Sequence, residues 1–149
     1  MSVTFHHQEP IATSADRVFA AIDDLPLTSK WLQPCVSLEK VGTGPNAVGD
    51  ALRYVYRQGG SEKEMTGRIA GRTPGQRLHC VYGDDMFDVS VDLRVAPGPA
   101  GSLTTHIIEM APKTFLASLM PPLIRIGIKK QTREAAANLK ALVENQPSA

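Results

Sequence analysis

Apolar positions along the chain change period twice, and each change marks a different kind of element. Residues 3–11, VTFHHQEPI, open with strand character. From residue 13 the spacing becomes helical, with Val18, Phe19 and Ile22 on one face. Thr13 or Ser14 supplies an N-cap, and Asp16 puts a negative charge in the first turn, where the helix dipole favours it. Pro26 interrupts this helix. A second short helix over Leu27 to Leu32, carrying the only tryptophan, Trp31, is stopped by Pro34.

From residue 49 the period is two. In GDALRYVYRQ (49–58), Leu52, Tyr54 and Tyr56 share a face opposite Arg53 and Arg57, and Gly59-Gly60 reads as a hairpin turn. SEKEMTGRIAGR (61–72) sets Met65 and Ile69 against Glu62, Glu64 and Arg68. RLHCVYG (77–83) sets Leu78, Cys80 and Tyr82 against His79 and Val81. MFDVSVDLRVA (86–96) alternates most cleanly: Phe87, Val89, Val91, Leu93 and Val95 face one way, Asp88, Ser90, Asp92 and Arg94 the other. SLTTHIIEM (102–110) is a further strand after the turn PGPAG. One apolar and one polar face is the pattern of an antiparallel sheet with one solvated side.

The last third returns to helical spacing. Pro122 suits a first turn, and Ile124, Ile128, Thr132, Ala135, Leu139, Leu142 and Val143 form one stripe of a helix reaching about Asn145. Such a stripe needs an apolar partner, and the inner face of the sheet is the one surface large enough. The expected architecture is therefore α+β: a curved antiparallel sheet of about seven strands around a long C-terminal helix. The two short helices after the first strand close one end, and Trp31 walls the space between.

At 149 residues the chain reads as a single domain, 1–149, with a core at about 3–144. Lys and Arg number 16 against 15 Asp and Glu, so no general attraction to nucleic acid is expected. FLASLMPPLIRIGI (115–128) is broken by Pro121, Pro122 and Arg125, which argues against stable membrane insertion. MSVTFHHQEP has neither a charged n-region nor an apolar h-region, so no signal peptide is expected and the cytoplasm is the default location. Two cysteines, Cys35 and Cys80, give no disulfide framework and no C-x-x-C. His6 and His7 project to opposite faces of a strand and cannot share a metal. No metal or other cofactor is implied, and there is no G-x-S-x-G, P-loop or G-x-G-x-x-G. VGTGPNAVG (41–49) and Asp84-Asp85 read as connections between strands.

The element order, with A-x-x-V-F-x-x-I-D-D from Ala15, P-x-x-x-x-W from Pro26 to Trp31 and the terminal N-L-K-A-L-V-E, resembles the START-like (SRPBCC; helix-grip, Bet v 1-like) proteins. Within them it is similar to the polyketide cyclase/dehydrase and lipid-transport group. The resemblance covers residues 3–144 and implies an apolar cavity between sheet and long helix. Depending on the branch, it implies binding of lipids, polyketides, hormones or quinones, or a role as a chaperone cofactor.

Strand alternation and the helix stripe give the candidate cavity wall: Trp31, Leu32, Tyr54, Tyr56, Met65, Leu78, Cys80, Tyr82, Phe87, His106, Ile108, Met110, Phe115, Met120, Leu123, Ile124 and Ile128. Each aliphatic member has an ordinary filled core as its alternative, and a one-residue register error would invert a strand. Tyr54, Tyr56, Tyr82 and His106 stand out because a polar group on an apolar face costs about 1–3 kcal/mol unless it is hydrogen-bonded. The leading expectation is a protein that carries or sequesters a small hydrophobic molecule. The alternative is a cyclase or dehydratase in which His106 moves a proton, with Tyr54, Tyr56 or Tyr82 assisting. A protein-interaction role would require a large exposed apolar patch, which the pattern does not show. The oligomeric state stays open, a homodimer included.

Overall fold

The computed structural model describes residues 2–115 and 122–145, the side chains of Gln58 and of residues 122–125 excepted. Strand β1 (Val3–Ile11) leads into helix α1 (Ala15–Asp23) and a 3₁₀ helix (Leu25–Lys30). Strands β2 (Cys35–Lys40), β3 (Ala51–Gln58), β4 (Ser61–Thr73), β5 (Arg77–Gly83), β6 (Phe87–Gly98) and β7 (Gly101–Pro112) follow, and helix α2 (Pro122–Glu144) comes last. The seven strands form one antiparallel sheet in the order β1-β7-β6-β5-β4-β3-β2. This is the helix-grip architecture that the periodicity predicts. No helix among the described residues is long and apolar enough to cross a membrane.

Local chemistry explains the elements. Ser14 caps α1 by accepting from the Arg17 backbone N–H at 3.3 Å, and Val18, Phe19, Ala21 and Ile22 are its buried face. The second short helix is 3₁₀ and runs over Leu25–Lys30, two residues earlier than the proline spacing suggests, with Pro26 in its first turn and Trp31 as its C-cap. Gly59 and Gly60 both take positive φ, as a tight two-residue hairpin between β3 and β4 requires. Strand β2 escapes a period-two reading because a bulge between Cys35 and Ser37 inserts a residue. Its buried positions, Cys35 and Leu38, are consequently three apart.

A second bulge, between Ile69 and Gly71 of β4, has a larger consequence. Unbroken alternation would put Arg72 beside Arg68 on the outer face. The extra residue turns it inward, opposite Leu78. There it donates twice to Asp23 at the end of α1 (3.0 and 2.8 Å), and its guanidinium lies 5.6 Å from the centre of the Phe19 ring. Asn46 of the β2–β3 connection donates to the same Asp23 carboxylate at 3.0 Å. One acidic side chain thus ties α1, β4 and a loop together and closes that end of the grip.

Helix α2 packs on β1 and β7, while the 3₁₀ helix packs on β2 at the far edge. Thr132, Ala135, Ala136, Leu139 and Val143 are the buried line of α2. Its C-terminal end is tied to β1 and the residue beyond it: Glu144 accepts from the Ala12 N–H at 2.7 Å, and Lys140 donates to the Pro10 carbonyl at 2.8 Å. Asn138 donates to the Trp31 carbonyl at 3.2 Å, which fixes the tryptophan against the helix. The central strands, between these two supports, keep their inner side chains facing open space.

Candidate ligand-binding site

That space is a cavity of about 320 Å³. Of the side chains anticipated from alternation, Trp31, Leu32, Tyr54, Tyr56, Met65, Leu78, Cys80, Tyr82, Phe87, His106, Ile108, Met110 and Ile128 line it. Phe115 does not. It is 78 % exposed, because β7 ends at Pro112 and strand alternation carries no information beyond that point. Met120 lies outside the described residues, as do the side chains of Leu123 and Ile124.

The wall also contains residues absent from the expected set. Val89, Val91 and Leu93 share the face of Phe87 on β6, and Thr132 and Ala135 lie on the α2 stripe, so the same periodicity could have found them. Ile22, Leu25, Thr28, Pro34 and Leu38 come from the short helices, the turn after them and β2, whose packing no local pattern reveals. Gln131 and the rim residues Arg57, Lys63, Asp84 and Met86 complete the wall.

Three tyrosines form its aromatic centre. Tyr54 stacks on Tyr56 with ring centroids 5.4 Å apart and meets Tyr82 at the same distance, tilted by 49°. Tyr82 can lean toward Tyr54 because the strand between them presents Gly67: a Cβ there would lie 2.5 Å from Tyr82 Cδ1 and 2.5 Å from the Val81 carbonyl oxygen. Burial raises the Tyr54 phenol above its ordinary range, with Cys35 and Tyr56 adding to it. Tyr82 is raised for the same first reason, with Cys80 next. Tyr56 is raised by burial and then by Asp84, whose carboxylate lies 3.5 Å from the phenol oxygen. Asp84 itself caps the β5–β6 turn, accepting from the Met86 and Phe87 N–H groups at 2.8 Å each. Burial pushes the Cys80 and Cys35 thiols up to about 11, so neither is a nucleophilic thiolate at neutral pH.

A different corner holds Trp31 and His106, edge to face with ring centroids 6.3 Å apart. Both are buried, at 4 % and 2 % exposure. Trp31 Nε1 and His106 Nε2 have no hydrogen-bonding partner among the described residues. Burial first, and then the charge of His7, its pairing partner on β1, lower the His106 pKa to about 4. At neutral pH the imidazole is therefore uncharged.

Chemistry outside the cavity is weaker. No group of three or more His, Cys, Asp or Glu among the described residues could hold a metal ion. On the outer face His79 Nε2 and Ser90 Oγ are 2.7 Å apart, the spacing of a base and its nucleophile. The other ring nitrogen, however, faces the Arg77 guanidinium at 3.5 Å. A guanidinium only donates, so that nitrogen accepts and the ring proton sits on Nε2, the wrong tautomer for a base.

Residues 2–144 match the sequence family described as polyketide cyclase/dehydrase and lipid transport. The chain belongs to this family. No curated protein sequence matches it. Among solved structures, the Zhui aromatase/cyclase of Streptomyces sp. R1128 superposes with a TM-score of 0.79 at 12 % identity, over 97 % of this chain and 94 % of that one. A START superfamily protein of Mycobacterium smegmatis gives 0.73 at 15 %, over 96 % and 97 %. Ara h 8.0201 gives 0.75 at 14 %, over 98 % and 100 %. At such identities the likeness is one of fold. The polyketide cyclase/dehydrase and lipid-transport family accordingly appears here with its sheet, its long helix and a cavity between them.

Proposed function

We propose that this protein carries or sequesters a small hydrophobic molecule, a lipid or a polyketide, in the cavity between the sheet and α2. The observation that supports this most is the cavity itself, with its wall of tyrosine, methionine and aliphatic side chains. Protein interiors pack to crystal density, and an apolar void costs stability. An apolar space of about 320 Å³, at the lower end of the range for ligand pockets, is the cost of a binding function. The family description points the same way. The near-balanced charge suits a small-molecule partner over a nucleic acid, and two buried free thiols suit a reducing compartment, the cytoplasm.

Native mass spectrometry of freshly purified protein, before and after denaturing extraction, tests this reading. A lipid- or polyketide-sized adduct released on unfolding is expected, and the same spectrum distinguishes monomer from homodimer. Trp31, the sole tryptophan, adds a fluorescence readout from the wall. A bare mass, with Trp31 emission unmoved by saturating fatty acid, sterol or aromatic polyketide, would overturn the carrier reading.

The cyclase or dehydratase alternative draws on His106, a residue of the cavity wall whose Nε2 has no partner among the described residues. Proton transfer near neutrality works best with a group that titrates there. His106 titrates near 4, and the three phenols hold their protons above their usual range. These groups are better suited to donating and accepting hydrogen bonds than to moving protons. Turnover of a polyketide substrate that disappears in His106→Ala while binding persists would reverse that preference.

A further inference from the structure

Among the described residues that line the cavity, three are exposed: Arg57, Lys63 and Met86. Arg57 and Lys63 belong to the β3–β4 hairpin, and Met86 to the β5–β6 turn, so the cavity reaches solvent between those two elements. The two sides of this mouth are held very differently. In the turn, the Asp84 N–H donates to the Phe87 carbonyl at 3.1 Å, and Asp84 Oδ1 accepts from the Met86 and Phe87 N–H groups. Lys113 ties it down twice, through its N–H to the Met86 carbonyl (2.7 Å) and its Nζ to the Asp84 carbonyl (2.9 Å).

The hairpin, by contrast, projects beyond its neighbours. Pairing with β2 ends at Tyr56, with the Arg57 N–H also donating to the Pro34 carbonyl at 2.8 Å. Pairing with β5 begins only at Thr66. The tip, residues 58–63, is held by its own ladder, the exposed Arg57–Glu62 ion pair and the Gly59-Gly60 turn. A two-stranded ribbon standing alone is marginal in water, and segments with solvent-facing backbone bonds open most readily. One contact crosses the mouth: the Tyr56 hydroxyl lies 3.5 Å from Asp84 Oδ2. A full O–H···O bond spans about 2.5–3.0 Å, so this one is incompletely made. The turn's own N–H groups occupy Oδ1 and leave Oδ2 as an acceptor already in position.

We propose that the β3–β4 hairpin is a lid that closes on the β5–β6 turn when the cavity is filled, with Tyr56 donating to Asp84 Oδ2 as its catch. This rests on the carrier reading and adds how the carried molecule is retained. Travel of about 0.8 Å brings the pair to the usual distance of such a bond, which its carboxylate acceptor makes strong. Lys63 faces Tyr56 in the ladder, and both line the cavity. An occupant gains full contact with the Tyr56 ring and the Lys63 stem only when the tip is down. That difference in contact is what shifts the hairpin toward its closed position.

N-phenyl-1-naphthylamine, a neutral dye that fluoresces in apolar surroundings, probes the lid in the intact protein. In wild type, amide exchange at residues 57–63 should slow about threefold or more on saturation with the dye, because amides that exchange by local opening respond to local closure. Tyr56→Phe removes the hydroxyl and keeps the ring that stacks on Tyr54. Stopped-flow release of the dye should be about fivefold faster in this variant, the worth of one hydrogen bond, with association changed less than about twofold. Losing a plain wall contact would also speed release, but the dye would still slow exchange at the tip. In Tyr56→Phe it should no longer do so. The wild-type exchange measurement is independent of how the variant folds. Tip exchange unmoved by the dye in wild type, or equal release rates in the two proteins, would overturn the lid and leave the carrier reading intact. A dye that does not bind at all would overturn both.

Discussion

Asp92 and His106 are buried side chains on adjacent strands, one step apart in the β6–β7 ladder, and the fold treats them in opposite ways. Asp92 lies on the outer face at 7 % exposure. Its carboxylate accepts from Arg77 Nε and Nη2 at 2.9 Å each and from Arg94 Nη2 at 3.0 Å. His106 lies on the inner face at 2 % exposure, and its Nε2 has no partner among the described residues. A buried charge that is fully paired is a structural part of the sheet. A buried polar atom left unpaired is a cost the fold carries, about 1–3 kcal/mol. Burial alone does not separate the two; the account of hydrogen bonds does.

The sharpest way to test that contrast is acid. His106 takes up its proton near pH 6.5 in the unfolded chain but only near 4 in the folded one. Between those values the unfolded state binds more protons, so stability falls as the pH is lowered through the window and is fully present above it. At the limit the loss amounts to about 3 kcal/mol. Chemical denaturation of wild type and His106→Leu from pH 7 to 4 should show a steep decline in the first and a shallower one in the second. Parallel curves would mean that His106 already shares its proton with a partner, which would erase the contrast with Asp92.

The inner face is also where space is deliberately kept, and Gly67 tests that. In Gly67→Ala the new methyl would sit 2.5 Å from the Val81 carbonyl oxygen, a backbone atom that no rotamer change can move, and equally close to the Tyr82 ring. A cost of about 2 kcal/mol is expected from this overpacking. Tyr82 should be displaced from Tyr54, visible as a changed aromatic circular dichroism signal. An alanine variant as stable as wild type, with the same signal, would show that the ring cluster does not depend on that close approach.

The legible part of the molecule was the part governed by local period. Alternation in β5 and β6 identifies their inner faces because each strand is regular, and the α2 stripe is legible for the same reason. Where a bulge intervenes, period fails: Cys35 and Leu38 conceal β2, and Arg72 changes face after Ile69. Phe115 follows the last regular strand position, where alternation no longer predicts a face. The Trp31–His106 pair could be anticipated only as two wall residues. Their meeting depends on a 3₁₀ helix at one edge of the sheet delivering an indole to a strand near the other edge, a matter of tertiary geometry that no spacing in the sequence encodes. Alternation places Asp92 on the solvated outer face, and its burial under two arginine side chains is equally non-local.

Asp92 should give the smallest effect, and that is what makes it informative. Burial alone would raise its pKa, but the hydrogen bonds and charges of Arg77 and Arg94 outweigh that and hold it at about 2, below the ordinary 3.8. Its contribution to stability is therefore present above pH 3.8 and lost as the pH falls toward 2, below the window in which His106 acts. Asp92→Asn keeps the shape and removes the charge. Both arginines reach water, with side-chain exposures of 37 % and 53 %, so they are readily solvated once released. Screening by solvent limits the expected loss to about 1 kcal/mol, read as a small shift in denaturation midpoint at pH 7. Ligand binding in the cavity should be unchanged, because Asp92 faces away from it. A variant that lost binding while remaining folded would couple the two faces of the sheet and end the distinction between a saturated outer side and a receptive inner one.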